Sequence, residues 1–408
     1  MEYGYYIGLD IDDKNVVVSV FQNGMKEPET VSTVAGSELF QIPLLLSKKR
    51  GIGQWFIGED AKKIAAGQGE EPFSNILSMA LSKEEVLVEE ETYQAVDLLT
   101  LYIRKVLLIA VRFGAQMLPD KLVISVDEVS KDVTELFASV GERLGLDKKN
   151  ITVIDRKEAF YYFALNQKAD LWLHDVYLFD YRTEDMVCCH LKRNQKTVPQ
   201  LITIESKVKK MLPAKDDGSF YQILLDCFRG NIISSVYLVG DGFEGGWMKR
   251  ALSYMCQGRH AFMGKNLYSK GACYAAIVSK EGANWPYAYI GDNEMKVNVS
   301  LKVRNRRNME FFTLVSAGDN WYEAEGSCEV ILDGTPEIDF WLQSPHGKDA
   351  KVEKLKLADL PERENKTTRL RIMAKPVSDT KVQIKIRDMG FGEIVKSSEK
   401  TWEYIMSL

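Results

Sequence analysis

The sequence predicts an α/β domain built as two lobes, 1–175 and 176–284, followed by an antiparallel β-domain over 285–408. Three observations predict it. Short apolar strands alternate with amphipathic helices up to about residue 280, the pattern of an α/β domain with its strands buried on both faces. Two strands, one at each lobe's start, end in an Asp where the chain runs into a polar turn: Asp10 in IGLD and Asp180 in VYLFD. After Lys280 the period switches to two, as in KVNVSLKV at 296–303, which reads as a β-sandwich.

In chain order, residues 5–10 and 16–21 form a hairpin around the turn from Asp12 to Asn15. Gln22, Asn23 and Gly24 make a second turn of the type that joins antiparallel strands. A further strand pair is expected at 42–46 and 54–57, and GEDAKKIA at 58–65 starts a short helix. Residues 92–114 carry Leu98, Leu99, Tyr102, Val106, Ile109 and Phe113 at steps of three and four, a helical stripe. The strand KLVISV (121–126) leads to a helix over 131–144 with Ser130 as N-cap and Gly145 as its stop. A strand at 151–154 and a helix at 157–165 close the first lobe. The second lobe repeats the theme, with strands at 176–179, 186–191, 200–205 and 235–239 and helices at 219–228, 247–255 and 271–278. In the β-domain, strands are expected at 296–303, 329–332, 337–342, 370–374 and 381–386, with helical periodicity weak until the last residues.

Composition narrows the function. A net charge of -5 argues against a duplex nucleic-acid binder, which shows a basic face. The longest apolar stretch, 96–113, contains Arg104 and Lys105 and is too short and charged to span a bilayer. The start, MEYGYYIGLD, lacks the basic and apolar regions of a signal peptide, so a cytoplasmic chain is expected. The six cysteines form no C-x-x-C pair and no metal-ligand spacing; Cys188 and Cys189, adjacent on a strand, face opposite sides as small buried hydrophobes. His174, His190, His260 and His346 share no triad spacing. The cluster Arg304, Arg306 and Arg307 reads as a solvated edge, and Trp321, Tyr322, Phe340 and Trp341 as core or as the lining of a peptide groove.

Five ordered segments over 1–280 carry a resemblance: IGLDIDDKNVVVSVF, GEDAKKIA, KLVISVDEVSKDVTELFASVGERLGL with VIDRKEAFYYFAL, DVYLFDYRTEDMVCCHL, and VYLVGDGFEGGWMKRAL with GACYAAI. Together they resemble the ATPase domain of the DnaK-type, seventy-kilodalton heat-shock chaperones, within the actin/sugar-kinase/DnaK superfamily. The resemblance implies a two-lobed actin-like (ribonuclease-H-like) fold. It also implies ATP or ADP with Mg²⁺ held between two phosphate hairpins. The tail is similar to the substrate-binding β-domain of those chaperones, which implies a protein or peptide client there. No helical lid is expected after it.

By the resemblance, Asp10 and Asp180 are the paired carboxylates that organise Mg²⁺ and the attacking water. Lys14, Arg182, Gly240, Asp241 and Gly242 fall where the family binds nucleotide. The phosphate turns depart from the family, however. Asp12, Asp13 and Lys14 replace Gly-Thr-Thr, and Arg182, Thr183 and Glu184 replace glycines whose N–H groups cradle an anion. A carboxylate against a phosphate at ~4 Å costs about 4 kcal/mol at an effective dielectric of 20. The family's catalytic Lys has no match in 72–82, and its Glu falls on Arg156. The expected function is therefore a DnaK-like, chaperone-like or scaffold protein with weak or absent ATPase. The alternatives are an active ATPase gripping phosphate through Lys14 and Arg182, and an actin-like structural adaptor.

Overall fold

The computed structural model describes residues 4–408 except 23, 35, 112–117, 183–184, 212–213, 282–284, 346–349 and 394. Thr183, Glu184 and His346 thus lie outside the described residues. The chain divides into two compact units, one of residues 1–192 and 204–285, the other of 193–203 and 286–408. Among the described residues no helix is long and apolar enough to cross a membrane.

Besides two short strand pairs, the first unit holds two large sheets whose central strands follow one plan. In the first, Tyr5–Ile11 pairs antiparallel with Asn15–Gln22 and parallel with Lys121–Val126, which pairs parallel with Ile151–Asp155. In the second, Asp175–Tyr181 pairs antiparallel with Asp185–Asn194 and parallel with Ile233–Val239, which pairs parallel with His260–Met263. The strand-end acids occupy matching registers. Asp10 faces Val17 across its hairpin and Asp180 faces Val187, each seven residues on. Both central strands are buried almost end to end, which explains why Ile7, Leu9, Val176, Leu178 and Phe179 form runs rather than alternations.

The helices follow their local signals. Ser130 Oγ accepts from the Val133 N–H and Gly145 adopts the left-handed conformation (φ 87°), bounding Lys131–Leu144 as its sequence requires. The helix of residues 92–114 begins later than its periodicity indicates, at Ala95, because Glu91–Gln94 pairs as a strand with Glu85–Val88; its described part ends at Val111. The strand pair expected at 42–46 and 54–57 is displaced: Leu46–Lys49 pairs with Gln54–Ile57, while Ile42–Pro43 joins the first hairpin. The last helix of the unit, Leu267–Glu281, starts four residues ahead of the expected Gly271.

That helix lies against the first hairpin at very short range. A Cβ on Gly8 would fall 2.2 Å from both the Cys273 nitrogen and the Ser269 oxygen, and one on Gly271 would fall 2.0 Å from the Ala159 oxygen. Ser19 Oγ and Ser269 Oγ bond at 2.8 Å in this buried contact. Backbone atoms cannot move aside as a side-chain tip does, so both glycines are steric necessities.

The second unit contains two four-stranded antiparallel sheets with one shared core. One runs Asn308–Val315, Asn298–Asn305, Glu337–Gln343, Ala350–Lys356; the other Gly326–Ile331, Arg369–Ser378, Lys381–Gly390, Thr401–Ser407. Val299, Leu301, Phe340 and Leu342 from the first meet Leu370, Ile372, Ile384 and Ile386 from the second. The last residues form a strand, not the helix their periodicity suggested. Trp402 and Met406, four apart, both turn inward on Thr401–Ser407, while Ile405 is left exposed. Of the four aromatics singled out, Phe340 is core, whereas Trp341 lies on the other face beneath Lys302 and edge-on to Phe311.

Gly8→Ala is expected to destabilise the protein by about 2–3 kcal/mol, the cost of overpacking against backbone, read as a lower urea midpoint. Gly67→Ala, in open space on an exposed helix, should leave the midpoint unchanged or raised.

Candidate functional site

The strand-end acids converge. Asp10, Asp12, Asp127, Arg156, Asp180, Arg182 and Tyr268 come from both hairpins, the 126–131 connection and two helices, and form one ionic cluster.

The first turn shows why. Asp12 Oδ1 accepts the N–H groups of Lys14 (2.9 Å) and Asn15 (2.8 Å), closing the turn on itself. In a phosphate-binding turn such N–H groups point at the anion; here an internal carboxylate has them. Asp12 Oδ2 receives Arg156 Nη2 and Arg182 Nη1, both at 3.1 Å. Asp13 turns away and accepts the N–H and hydroxyl of Ser78. Lys14 is exposed.

Arg156 is placed by a helix cap. Asp155 accepts the Glu158 N–H at 2.7 Å, so Arg156 stands at the first helical position. A cation at a helix N-terminus opposes the macrodipole, and Arg156 is only 5% exposed. Carboxylates offset both costs. Its Nε and Nη2 reach Asp10 Oδ1 and Oδ2 at 2.8 and 3.1 Å, a two-pronged grip, and Nη1 pairs with Asp127.

Arg182 closes the other side. Its Nε contacts both oxygens of Asp180, at 2.9 and 3.0 Å. Tyr268, from the start of Leu267–Glu281, donates its hydroxyl to Asp180 Oδ2 at 2.9 Å. The ring of Tyr268 lies 5.4 and 5.7 Å from the guanidinium carbons of Arg156 and Arg182, within cation–π range. Burial, reinforced by the Asp180 charge, pushes the Tyr268 hydroxyl well above its ordinary pKa, so it stays a donor. Burial alone would raise Asp12. The Asn15 N–H, the Arg156 charge and the Lys14 N–H outweigh it and hold the carboxyl below its ordinary value.

The third expected segment is folded against protein. Gly240 has φ 99°, and a Cβ there would meet the Tyr181 oxygen at 2.3 Å; one on Gly242 would strike the Tyr181 ring at 2.4 Å. The glycines give Tyr181 room to pack. Asp241 pairs with Lys265 at 2.9 Å.

The structure thus brings Asp10, Asp180 and Arg182 together, takes only the backbone N–H of Lys14 and not its side chain, and leaves Asp241 paired elsewhere and Gly240 and Gly242 against Tyr181. The set does not fit Mg²⁺ with a triphosphate. Asp10 and Asp180 are each engaged by a guanidinium, the turn N–H groups are taken by Asp12, and the described residues include no group of three or more acidic, His or Cys side chains arranged for a metal. Asp12, named only as a turn residue, joins both arginines, and Arg156, where the resemblance implies a Glu, is the buried cation of the cluster. Asp127 and Tyr268 were not visible as site residues. Asp127 had a signal, being a third acid just past a strand end, whereas Tyr268 had none before the helix start was known.

With this geometry in view, residues 27–292 match the model of a family described as family of unknown function (DUF5716) C-terminal. The chain belongs to that family. Residues 294–408 match a domain of unknown function, DUF8552. No curated protein matches the chain. In this DUF5716 member, Asp127, Arg156, Asp180, Arg182 and Tyr268 lie within the matched span, and the hairpin turn with Asp10 and Asp12 lies before it.

Arg156→Gln is expected to cost about 3 kcal/mol, because it strands buried carboxylates. Combining it with Asp10→Asn should recover part of that loss, and strict additivity in a double-mutant cycle by urea unfolding would refute the coupling. Asp12, with its pKa depressed on folding, contributes stability that is fully present above its unfolded value of about 4 and disappears as pH falls through the folded one. Asp12→Asn keeps the turn acceptor but removes the charge. The stability gap between wild type and variant should therefore be constant near neutrality and shrink below about pH 4.

Proposed function

We propose that this chain is a DnaK-like, actin-related protein whose nucleotide site has become a structural clasp, and that it works by binding a protein or peptide rather than by hydrolysing ATP. The observation that carries this reading is the ionic cluster: two arginines stand among the strand-end carboxylates, and Asp12 holds the N–H groups that a phosphate would need. The ancestry is supported by the two sheets of one plan with an Asp at the same register in each. This is a likeness of architecture, and architecture leaves function open.

Partner binding is supported by the second unit. A groove of about 940 Å³ runs beside Asn308–Val315 and Gly326–Ile331, each the terminal strand of its sheet. Met309, Phe312 and Ile331 line it and are 53%, 43% and 51% exposed. An edge strand beside apolar side chains suits an extended peptide, which adds backbone hydrogen bonds and buries alternate residues. The alternative of an ATPase gripping phosphate through Lys14 and Arg182 is disfavoured, because Arg182 is committed to Asp180 and Asp12.

Thermal unfolding of the full chain with Mg²⁺ and millimolar ATP, ADP or a non-hydrolysable analogue tests the proposal. The expected midpoint is that of the ligand-free protein. A ligand at a hundredfold excess over its Kd would add about 2.7 kcal/mol, so a clear upward shift with nucleotide would overturn the clasp reading.

A further inference from the structure

On the far side of the second sheet from the ionic cluster's helix contacts, two thiols touch. Cys188 lies on Asp185–Asn194, opposite Phe179 in the hairpin, and is buried. Cys227 is the penultimate residue of the helix Asp217–Phe228 and is half-buried. Their sulfurs are 3.4 Å apart. Around them the backbone is pinned: the Cys227 carbonyl accepts from the Tyr177 hydroxyl at 2.7 Å and from Asn231 Nδ2 at 3.1 Å. The Tyr177 ring stacks on His190 at 4.2 Å, and His190 Nε2 bonds Asp175 at 2.7 Å. The helix end and the hairpin are therefore held in register with the two sulfurs in contact.

We propose that Cys188 and Cys227 form a redox-responsive pair that closes to a disulfide when a hydroperoxide oxidises Cys227. The neighbouring sulfhydryls do not compete for this bond. Cys189 faces the opposite side of the strand, Cys273 is sealed beneath the first hairpin, and Cys328 is in the other unit. The hydrogen bond between the two thiols shifts the Cys227 thiol toward a lower pKa against the effect of burial, with Lys209 and Lys207 adding to that shift and Asp226 opposing it. The attacking thiol needs access; Cys227 is the more accessible of the two, and the buried Cys188, 3.4 Å away, is placed to resolve.

The chemistry balances. The Cys227 thiolate attacks one peroxide oxygen; the O–O bond breaks, a sulfenic acid forms, and the departing alkoxide or hydroxide takes up a proton. Cys188 Sγ then attacks the sulfenyl sulfur, the S–S bond forms, and hydroxide leaves with the Cys188 proton as water. Two thiols deliver two electrons to one hydroperoxide. The product staples the helix to the hairpin strand and closes a loop whose ends are 39 residues apart; such a loop restricts the unfolded chain.

The test uses the full chain carrying Cys256→Ser, which removes the exposed thiol. After hydrogen peroxide, denaturing alkylation and peptide mass mapping, the expected result is an intramolecular link between 188 and 227, two fewer alkylated thiols, reversal by dithiothreitol and a higher Tm. Adding Cys188→Ala should leave Cys227 as a sulfenic acid that dimedone traps. Adding Cys227→Ser, at the half-exposed position, should leave Cys188 reduced at the same dose. Cys188 and Cys227 both remaining alkylatable, Cys227 passing to sulfinic acid without a link, or Cys188 oxidising equally well in the Cys227→Ser chain would each overturn the proposal.

Discussion

The guanidinium of Arg156 is the constraint on which the first unit depends. It is nearly buried, it sits at the electropositive end of a helix, and it is tolerated there only because Asp10, Asp12 and Asp127 surround it. Those acids come from a strand end, a hairpin turn and an inter-element connection. Satisfying one cation therefore ties the first hairpin and the connection at Asp127 to the helix that carries Arg156. Arg182 extends the same logic to the second sheet by sharing Asp12 with Arg156 while holding Asp180. Tyr268 completes it, offering a hydroxyl to Asp180 and a ring face to both cations.

This arrangement is the reverse of what a phosphate-binding turn presents. A turn that binds an external anion presents bare N–H groups; the first turn here fills them with its own carboxylate. Carboxylates that hold a hard cation need open coordination positions and bound water; Asp10 and Asp180 are occupied by arginine forks instead. The two hairpins are tied to each other by groups of the chain itself, Arg182 bonding Asp12 of one and Asp180 of the other. The two-glycine loop at Gly240 and Gly242 follows suit, its close approach used on Tyr181.

Much of this was legible from residues alone. The paired strand-end acids, the loss of glycine in both turns, the Ser130 and Gly145 helix boundaries and the change of period after Lys280 all stand in the sequence, because each depends on local geometry or period. Which group packs against Gly240 and Gly242 was not legible. The local sequence marks Asp12 only as a turn residue, since its two arginine partners are 144 and 170 positions away. The C-terminal strand read as helical because Trp402 and Met406 are four apart, a spacing that suits one face of a strand as well as one face of a helix. The choice between core and groove lining stayed open for the aromatics for a related reason: consecutive positions such as Phe340 and Trp341 divide between core and surface, and only the pairing register says which goes inward.

By itself the sequence determined the order of α/β units, the hairpin turns with their acids, the helix caps and the all-β character of the tail, since these follow from side-chain period, backbone preference and turn chemistry within a few residues. The tertiary structure alone decided what the acids do. Charge pairing acts over ångströms in space, not along the chain, so whether Asp10 and Asp180 face water, a metal or a guanidinium depended on where the helix caps at Asp155 and the start of Leu267–Glu281 delivered Arg156 and Tyr268.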